Sequence, residues 1–282
     1  MKIKICADST CDLSPELVKK YDIGIIPLYI IKDGTSYADG LEITPQDIYA
    51  HVRAGGAMCS TAAVSVADYE TFFTEQRKQC DAMIHFHISS EMSSCYQNAC
   101  IAAESVSGVY PVDSRNLSTG IGQLVIAAAE MAAAGKLSAE EIVGVILEKR
   151  EKLDVSFVLD TLEYLRKGGR CSTLAAMGAN LLSLKPCIEV RGGTMGVGKK
   201  YRGTLGKCIV QYVRDRLEGR DDIDLKRIFI TDSTGFAPEE IAAMEAEVRR
   251  CQPFEEILRT QAGCTISSHC GPRCIGILYF HK

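Results

Sequence analysis

The sequence predicts an α/β fold in two parts: an N-terminal unit with a parallel, layered sheet over residues 1–150, and a C-terminal α/β unit with a mixed sheet over residues 151–282. Three observations predict it. Up to about residue 150, apolar runs of strand length alternate with capped helical segments, the order that builds a parallel sheet with helices on its faces. From Asp154 that rhythm changes, and a hairpin reads across Gly192-Gly193. The length, 282 residues, suits one large α/β domain or two smaller ones.

Taken in order, Ile3 and Ile5 alternate with Lys2 and Lys4, and this strand ends in Ala7-Asp8-Ser9-Thr10. Ser14-Pro15-Glu16 opens a helix, with Ser14 as N-cap and Pro15 at the first helical position. Residues 23–31 read as one strand, turned by Lys32-Asp33-Gly34. Thr44-Pro45 starts a helix to about Ala54, residues 59–65 read as a loop of small residues, and Ser65 caps a helix reaching Gln79. Residues 82–87 are short and apolar enough for a buried strand, and residues 97–104 read as the first turns of a helix. A short strand at 108–114 precedes residues 117–134, an almost wholly apolar helix expected to be buried on most sides. Ser138-Ala139-Glu140-Glu141 is a capping box for a helix to about Leu153. In the second half come a strand at 156–159, a short helix at 161–166 ending at Gly168-Gly169, and an apolar helix at 173–184. The hairpin at 187–198, a helix at 204–217, a strand at 227–231, a helix at 238–250 and strands at 256–259 and 274–280 complete the order.

Composition narrows the function classes. Hydrophobic residues at 46% and charged residues at 24% describe an ordinary globular chain, and a net charge of −4 offers no basic footprint for nucleic acid. No apolar run is long enough to span a bilayer, and the first strand begins without a signal peptide's apolar core, so a cytoplasmic protein is expected. The thirteen cysteines are scattered, odd in number and without a Cys-x-x-Cys pair. Reduced thiols packed as small apolar residues are the expectation, not a zinc site.

The stretch with the most chemistry is Ile88-Ser89-Ser90-Glu91-Met92-Ser93-Ser94-Cys95-Tyr96-Gln97. A strand running through clustered hydroxyls into a helix start gathers side-chain donors and free backbone N–H groups, a site for carboxylate or phosphate. The same serines also suit plain helix capping. Other motifs fail on their own terms. Residues 193–200 approach a phosphate-binding P-loop but place Lys200 where a hydroxyl is needed, and they read as a hairpin. His85 and His87 share one strand face without an acidic or cysteine partner at ligand spacing. No Gly-x-Ser-x-Gly elbow supports a serine nucleophile.

Several segments together resemble the DegV family of bacterial lipid-binding proteins. They are Ala7-Asp8-Ser9-Thr10-Cys11-Asp12-Leu13, the serine-rich turn at 88–97, Val112-Asp113-Ser114-Arg115, the run from Asp160 to Arg170 containing Leu165-Arg166-Lys167-Gly168-Gly169-Arg170, and Ser268-His269-Cys270-Gly271-Pro272. The resemblance runs the length of the chain and implies a DegV-like two-domain fold that binds one long-chain fatty acid. It further implies a carboxylate held near the domain junction by Thr61, Ser93, Ser65 and His269, with the tail buried. No catalytic residue, metal or cofactor is implied. The implied partner is a separate ATP-dependent fatty acid kinase, with Arg170 at the head-group opening serving the phosphate transfer and with only transient membrane contact. Two departures stand out: Thr61-Ala62-Ala63-Val64-Ser65 lacks the family's middle polar side chains, and Glu91, which would repel a carboxylate, is expected to point outward. A lipid sensor or transport protein without a kinase is the alternative, and a lipid-acting enzyme using Ser93 and His269 a further one.

Overall fold

The computed structural model describes residues 2–171 and 184–282. In the first half the elements are β1 (Ile3–Asp8), α1 (Pro15–Lys20), β2 (Gly24–Ile26), β3 (Tyr29–Lys32), β4 (Thr35–Ala38), α2 (Pro45–Arg53), β5 (Ser60–Ala62), α3 (Val66–Arg77), β6 (Ala82–His87), α4 (Cys95–Ser105), β7 (Val109–Asp113), α5 (Thr119–Ala134) and α6 (Ala139–Arg150). The second half contains β8 (Leu153–Leu159), α7 (Glu163–Gly168), β9 (Leu184–Arg191), β10 (Thr194–Arg202), α8 (Leu205–Leu217), β11 (Ile223–Asp232), α9 (Pro238–Cys251), β12 (Glu256–Gln261), α10 (Cys264–Cys270) and β13 (Cys274–His281).

The alternation of strand and helix does build a parallel sheet, ordered β2-β1-β6-β7. β6 is buried along its whole length, as expected of a strand covered by helices on both faces. The second sheet is mixed, ordered β10-β9-β8-β13-β11-β12, with only β11 and β12 parallel. A third, antiparallel sheet of β4-β3-β5 stands apart.

The apolar helix α5 explains its own composition. It packs against β1 and β6 of the parallel sheet and against β8 and β13 of the mixed one, so from Thr119 to Ile126 neither face meets water. Two glycines permit the close fit. A methyl at Gly122 would lie 2.8 Å from Leu13 Cδ2 on one side, and one at Gly120 would lie 2.9 Å from Val155 Cγ2 on the other. One hydrophobic core therefore runs from Ile5 and Ile84 through Ile121 and Leu124 to Val155 and Leu278. A second core, around Tyr212, Ile230 and Met244, lies among α8, α9 and the mixed sheet.

Three expectations need correction. Residues 23–31 are two strands in two different sheets, because Pro27 has no N–H for the ladder and the chain changes sheet there. The small-residue loop contains β5, too short and polar to signal itself, which exists through its pairing with β3. The helix α10 was not expected, because its first turn is capped by side chains far away in the sequence. The helix expected at 173–184 lies outside the described residues except for Leu184, which begins β9. Among the described residues no helix is long and apolar enough to cross a membrane.

Candidate functional site

Within the parallel sheet the chain crosses from one side of β1 to the other, with β2 on one flank and β6 on the other. The crevice outside the strand ends at such a point is where open α/β sheets bind ligands. Just past β6, Ile88 N–H donates to Asp8 Oδ2 at 2.9 Å, tying the ends of β1 and β6 together. Asp8 is fully buried, and burial pushes its pKa up to about 6 against the lowering effect of bonds from Thr10 and Ile88. Ser89 O accepts from the N–H groups of Met92 and Ser93, curling the serine run into a turn. Ser93 Oγ accepts from Cys95 N–H at 3.3 Å and, among the described residues, has only the Cys95 sulfur, 3.2 Å away, to donate to. Ser94 occupies the N-cap position of α4 without making a side-chain cap.

A second wall comes from α10, whose N-cap is Gly263 and so supplies no side-chain cap. Two buried carboxylates do that work instead. Asp39 accepts from the N–H groups of Cys264 (2.8 Å) and Thr265 (3.1 Å) and from Thr265 Oγ1 (2.7 Å), while Asp12 accepts from Gly263 N–H (2.9 Å). The cap is tertiary, which is why a local reading of Cys264-Thr265-Ile266-Ser267-Ser268, poor in strong helix formers, gave no helix.

The clamp holds His269 with its Nε2 3.0 Å from Thr61 Oγ1 on β5. Burial, and secondarily the charge of Arg170, depress the imidazole to about 4, so it is neutral at physiological pH. Its Nδ1 is buried without a partner among the described residues. That nitrogen lies against Gly168, where a methyl group would collide with it. Gly169 follows in the left-handed region (φ 69°) and closes α7. Arg170 is then exposed at the pocket rim, its guanidinium donating to Gly168 O at 2.7 Å.

Thr61, Ser93, Arg170 and His269 thus line one cavity of about 150 Å³, together with apolar walls from Leu28, Met92, Leu117, Met195 and Ile266. A smaller cavity of about 30 Å³ shares Leu117, Ile266 and Cys270 with it and continues along Phe157, Cys274 and Leu278. Ser65 is elsewhere: it caps α3, accepting from Asp68 N–H at 3.1 Å, and does not line either cavity. Sequence reasoning missed Ser94, which does line the main one; its place directly before a helix start was the available signal. Of the apolar helix, only Leu117 and Ser118 ahead of α5 reach these cavities, and the helix body is core. Glu91 is exposed and outside the cavity lining.

His85 and His87 stack with ring centroids 4.3 Å apart among Tyr69, Phe72, Phe73 and Tyr96. Among the described residues no group of three or more metal-ligating side chains forms.

The DegV family model, described as "Uncharacterised protein, DegV family", matches residues 2–282. The chain belongs to the DegV family. A DegV domain-containing protein of Caldanaerobacter subterraneus is 33% identical, over 100% of this chain and 99% of its own. A fatty-acid-binding DegV family protein from Thermus thermophilus superposes with a TM-score of 0.88 at 31% identity, covering 100% of both chains. A stearic acid-binding protein from Eubacterium ventriosum gives 0.83 at 25% identity, over 99% and 98%. The DegV fold of parallel and mixed sheets is therefore shared, and these two solved relatives are fatty-acid-binding proteins by name.

Proposed function

We propose that this DegV chain binds one long-chain fatty acid and presents its carboxylate to a separate ATP-dependent kinase, which converts it to an acyl phosphate. The observation that supports the reading is the convergence of Thr61, Ser93, His269 and Arg170, from four distant segments, on one cavity that Ser94 and Thr265 also line and whose other walls are apolar. A carboxylate removed from water needs good donors. Ser93 has one to give, since its only acceptor among the described residues is a thiol sulfur. Thr61 gains one when His269 is protonated on Nε2: the imidazole then donates to Thr61 Oγ1, and the threonine hydrogen turns to the ligand. Ser94 and the first N–H groups of α4 lie beside them. Ser65 has its own structural task as a cap and is left out of the head-group set.

The tail follows Leu117, Ile266 and Cys270 toward Phe157 and Leu278, at a gain of ~0.8 kcal/mol per buried methylene. In this reading the chain divides near residue 150 and the ligand lies at the seam. Residues 193–200, the nearest approach to a nucleotide cradle, form the hairpin turn and β10, so ATP and magnesium come with the partner. Arg170, exposed at the rim, is placed to stabilise the added charge of the acyl phosphate or to meet acidic residues of the kinase.

Denaturing extraction of the purified protein followed by mass spectrometry should release about one equivalent of long-chain fatty acid; a ligand without an acyl tail would sink the proposal. With a cognate kinase, Arg170→Ala should retain the fatty acid and lower acyl phosphate formation about tenfold, or ~1.4 kcal/mol in the barrier. A fully active variant would remove Arg170 from the transfer step.

A further inference from the structure

A separate cleft of about 210 Å³ lies beside the β9–β10 turn and shares no lining residue with the head-group cavity. Arg115, Arg150 and Arg191 line it, with Asn116 and the turn glycines Gly192 and Gly193 between them and Glu151 as its one lining carboxylate. Arg115 is the informative residue. It is half-buried, and Asp113 Oδ1 fixes its backbone by accepting its N–H at 2.8 Å, yet its guanidinium has no hydrogen bond or ion pair among the described residues. Five N–H donors drawn partly out of water and given no acceptor call for an anion.

The neighbours point the same way. Arg150 is only 18% exposed and uses Nη1 on Asp113 O and Nε on Glu151, which leaves Nη2 unengaged. Asn116 Oδ1 accepts from Leu117 N–H, so its amide NH₂ remains available as a donor. Arg191 is tied to Glu189 at the rim.

We infer that this cleft binds a phosphate dianion, either free or carried by a small phosphorylated molecule. Arg191 is already matched by Glu189 and Arg150 in part by Glu151; the open fork of Arg115, Nη2 of Arg150 and the amide of Asn116 converge as N–H donors that suit the several oxygens of a phosphate. The cleft also adjoins the serine turn. Ser89 Oγ donates to Gly193 O at 2.7 Å and Ser89 N–H to Asn116 O at 2.9 Å, while Ser89 O holds the N–H groups of Met92 and Ser93. An anion gripping Arg115 and Asn116 would therefore brace the same turn that carries Ser93. The inference does not depend on the identity of the ligand in the head-group cavity.

Calorimetric titration of the full chain with inorganic phosphate, phenyl phosphate and benzoate at low salt tests it. One saturable phosphate site is expected, with benzoate about tenfold weaker or worse. Arg115→Gln and Arg150→Gln should each weaken phosphate binding about tenfold, Arg115→Lys less, and Arg170→Gln not at all. Equal affinity for the two phosphates assigns free phosphate as the ligand, and tighter phenyl phosphate assigns a phosphomonoester. Thermal unfolding of each variant shows that it is folded. Absence of saturable binding at millimolar phosphate, benzoate binding as tightly as phosphate and lost in Arg115→Gln, or loss of phosphate binding only in Arg170→Gln would each overturn the inference.

Discussion

His87 and His269 are held at the same place on the pH scale, about 4, and burial is the leading cause for both. Their surroundings are unlike. His87 stacks on His85 inside an aromatic shell, and neither ring nitrogen of His85 has a partner among the described residues. His269 bonds to a hydroxyl, lines a cavity and lies within the field of an exposed arginine. A displaced pKa therefore marks enclosure. What marks a site is a displaced group with an open space and further donors beside it.

The sharpest way to separate the two regions is by acid. Unfolded histidine takes its proton near 6.5, whereas folded His87 resists until about 4 and His85 lies well below its usual value. The stability these groups contribute is complete above 6.5 and is lost as pH falls toward 4. His85→Leu/His87→Leu should match the wild type within about 1 kcal/mol at neutral pH, because three of the four ring nitrogens it deletes have no partner among the described residues and only the 3.3 Å contact of His87 Nδ1 with Val112 O is lost. Near pH 4 it should be the more stable protein by ~3 kcal/mol or more, since each tenfold loss of proton affinity on folding is worth ~1.4 kcal/mol. Asp8 and Asp12, whose pKa values burial raises, act in the opposite sense and cancel in the comparison. Guanidinium unfolding at a series of pH values measures the difference; a difference that did not change with pH would mean that the pair is not buried in the neutral form.

Loosening the other histidine should cost somewhat less. Asp39→Asn removes the charged acceptor at the start of α10 and should lower stability by about 2–3 kcal/mol. The ring signals of His269 should move in NMR spectra while those of His85 and His87 stay. If all three moved together, the clamp would not be local.

Fatty acid affinity gives the third contrast. Thr61→Ala and Ser93→Ala should each weaken binding by about 1–3 kcal/mol, while His85→Leu/His87→Leu leaves it unchanged. Competition with a fluorescent fatty acid reads both, and unaltered binding in the Thr61→Ala/Ser93→Ala double variant would place the carboxylate elsewhere. The smallest effect belongs to Gly168→Ala. Its new methyl presses on His269 Nδ1 and should weaken binding by about 1 kcal/mol, with the titration of His87 unaltered.

Most of the fold was legible because its signals are local. Ser14, Thr44, Ser65 and Ser138 cap the helices that follow them, and the strand, serine turn and helix around residues 82–105 occur in that order. The meeting of Thr61, Ser93, Arg170 and His269 at one cavity was legible only through the motifs that carry them. What was not legible depends on distant partners. β5 needs β3, and α10 needs Asp39, 225 residues away from Cys264. Ser65 was misleading for a related reason: a serine before a helix suits a cap and a ligand equally well, and only the position of the cavity distinguishes them.

The clamp on α10 also sets a sequence of events during synthesis. A chain emerging from the ribosome, at roughly 5–20 residues per second, displays Asp12, Asp39, Thr61 and Ser93 long before residues 263–270 exist to meet them. Until then two carboxylates that end up buried stay hydrated, β5 lacks the imidazole that orders its threonine, and the apolar cavity stands open on one side. The mouth of the pocket is thus among the last parts to be assembled, and a chain that stopped short of Gly263 would carry most of its cavity-lining hydroxyls yet have no closed chamber to put them in.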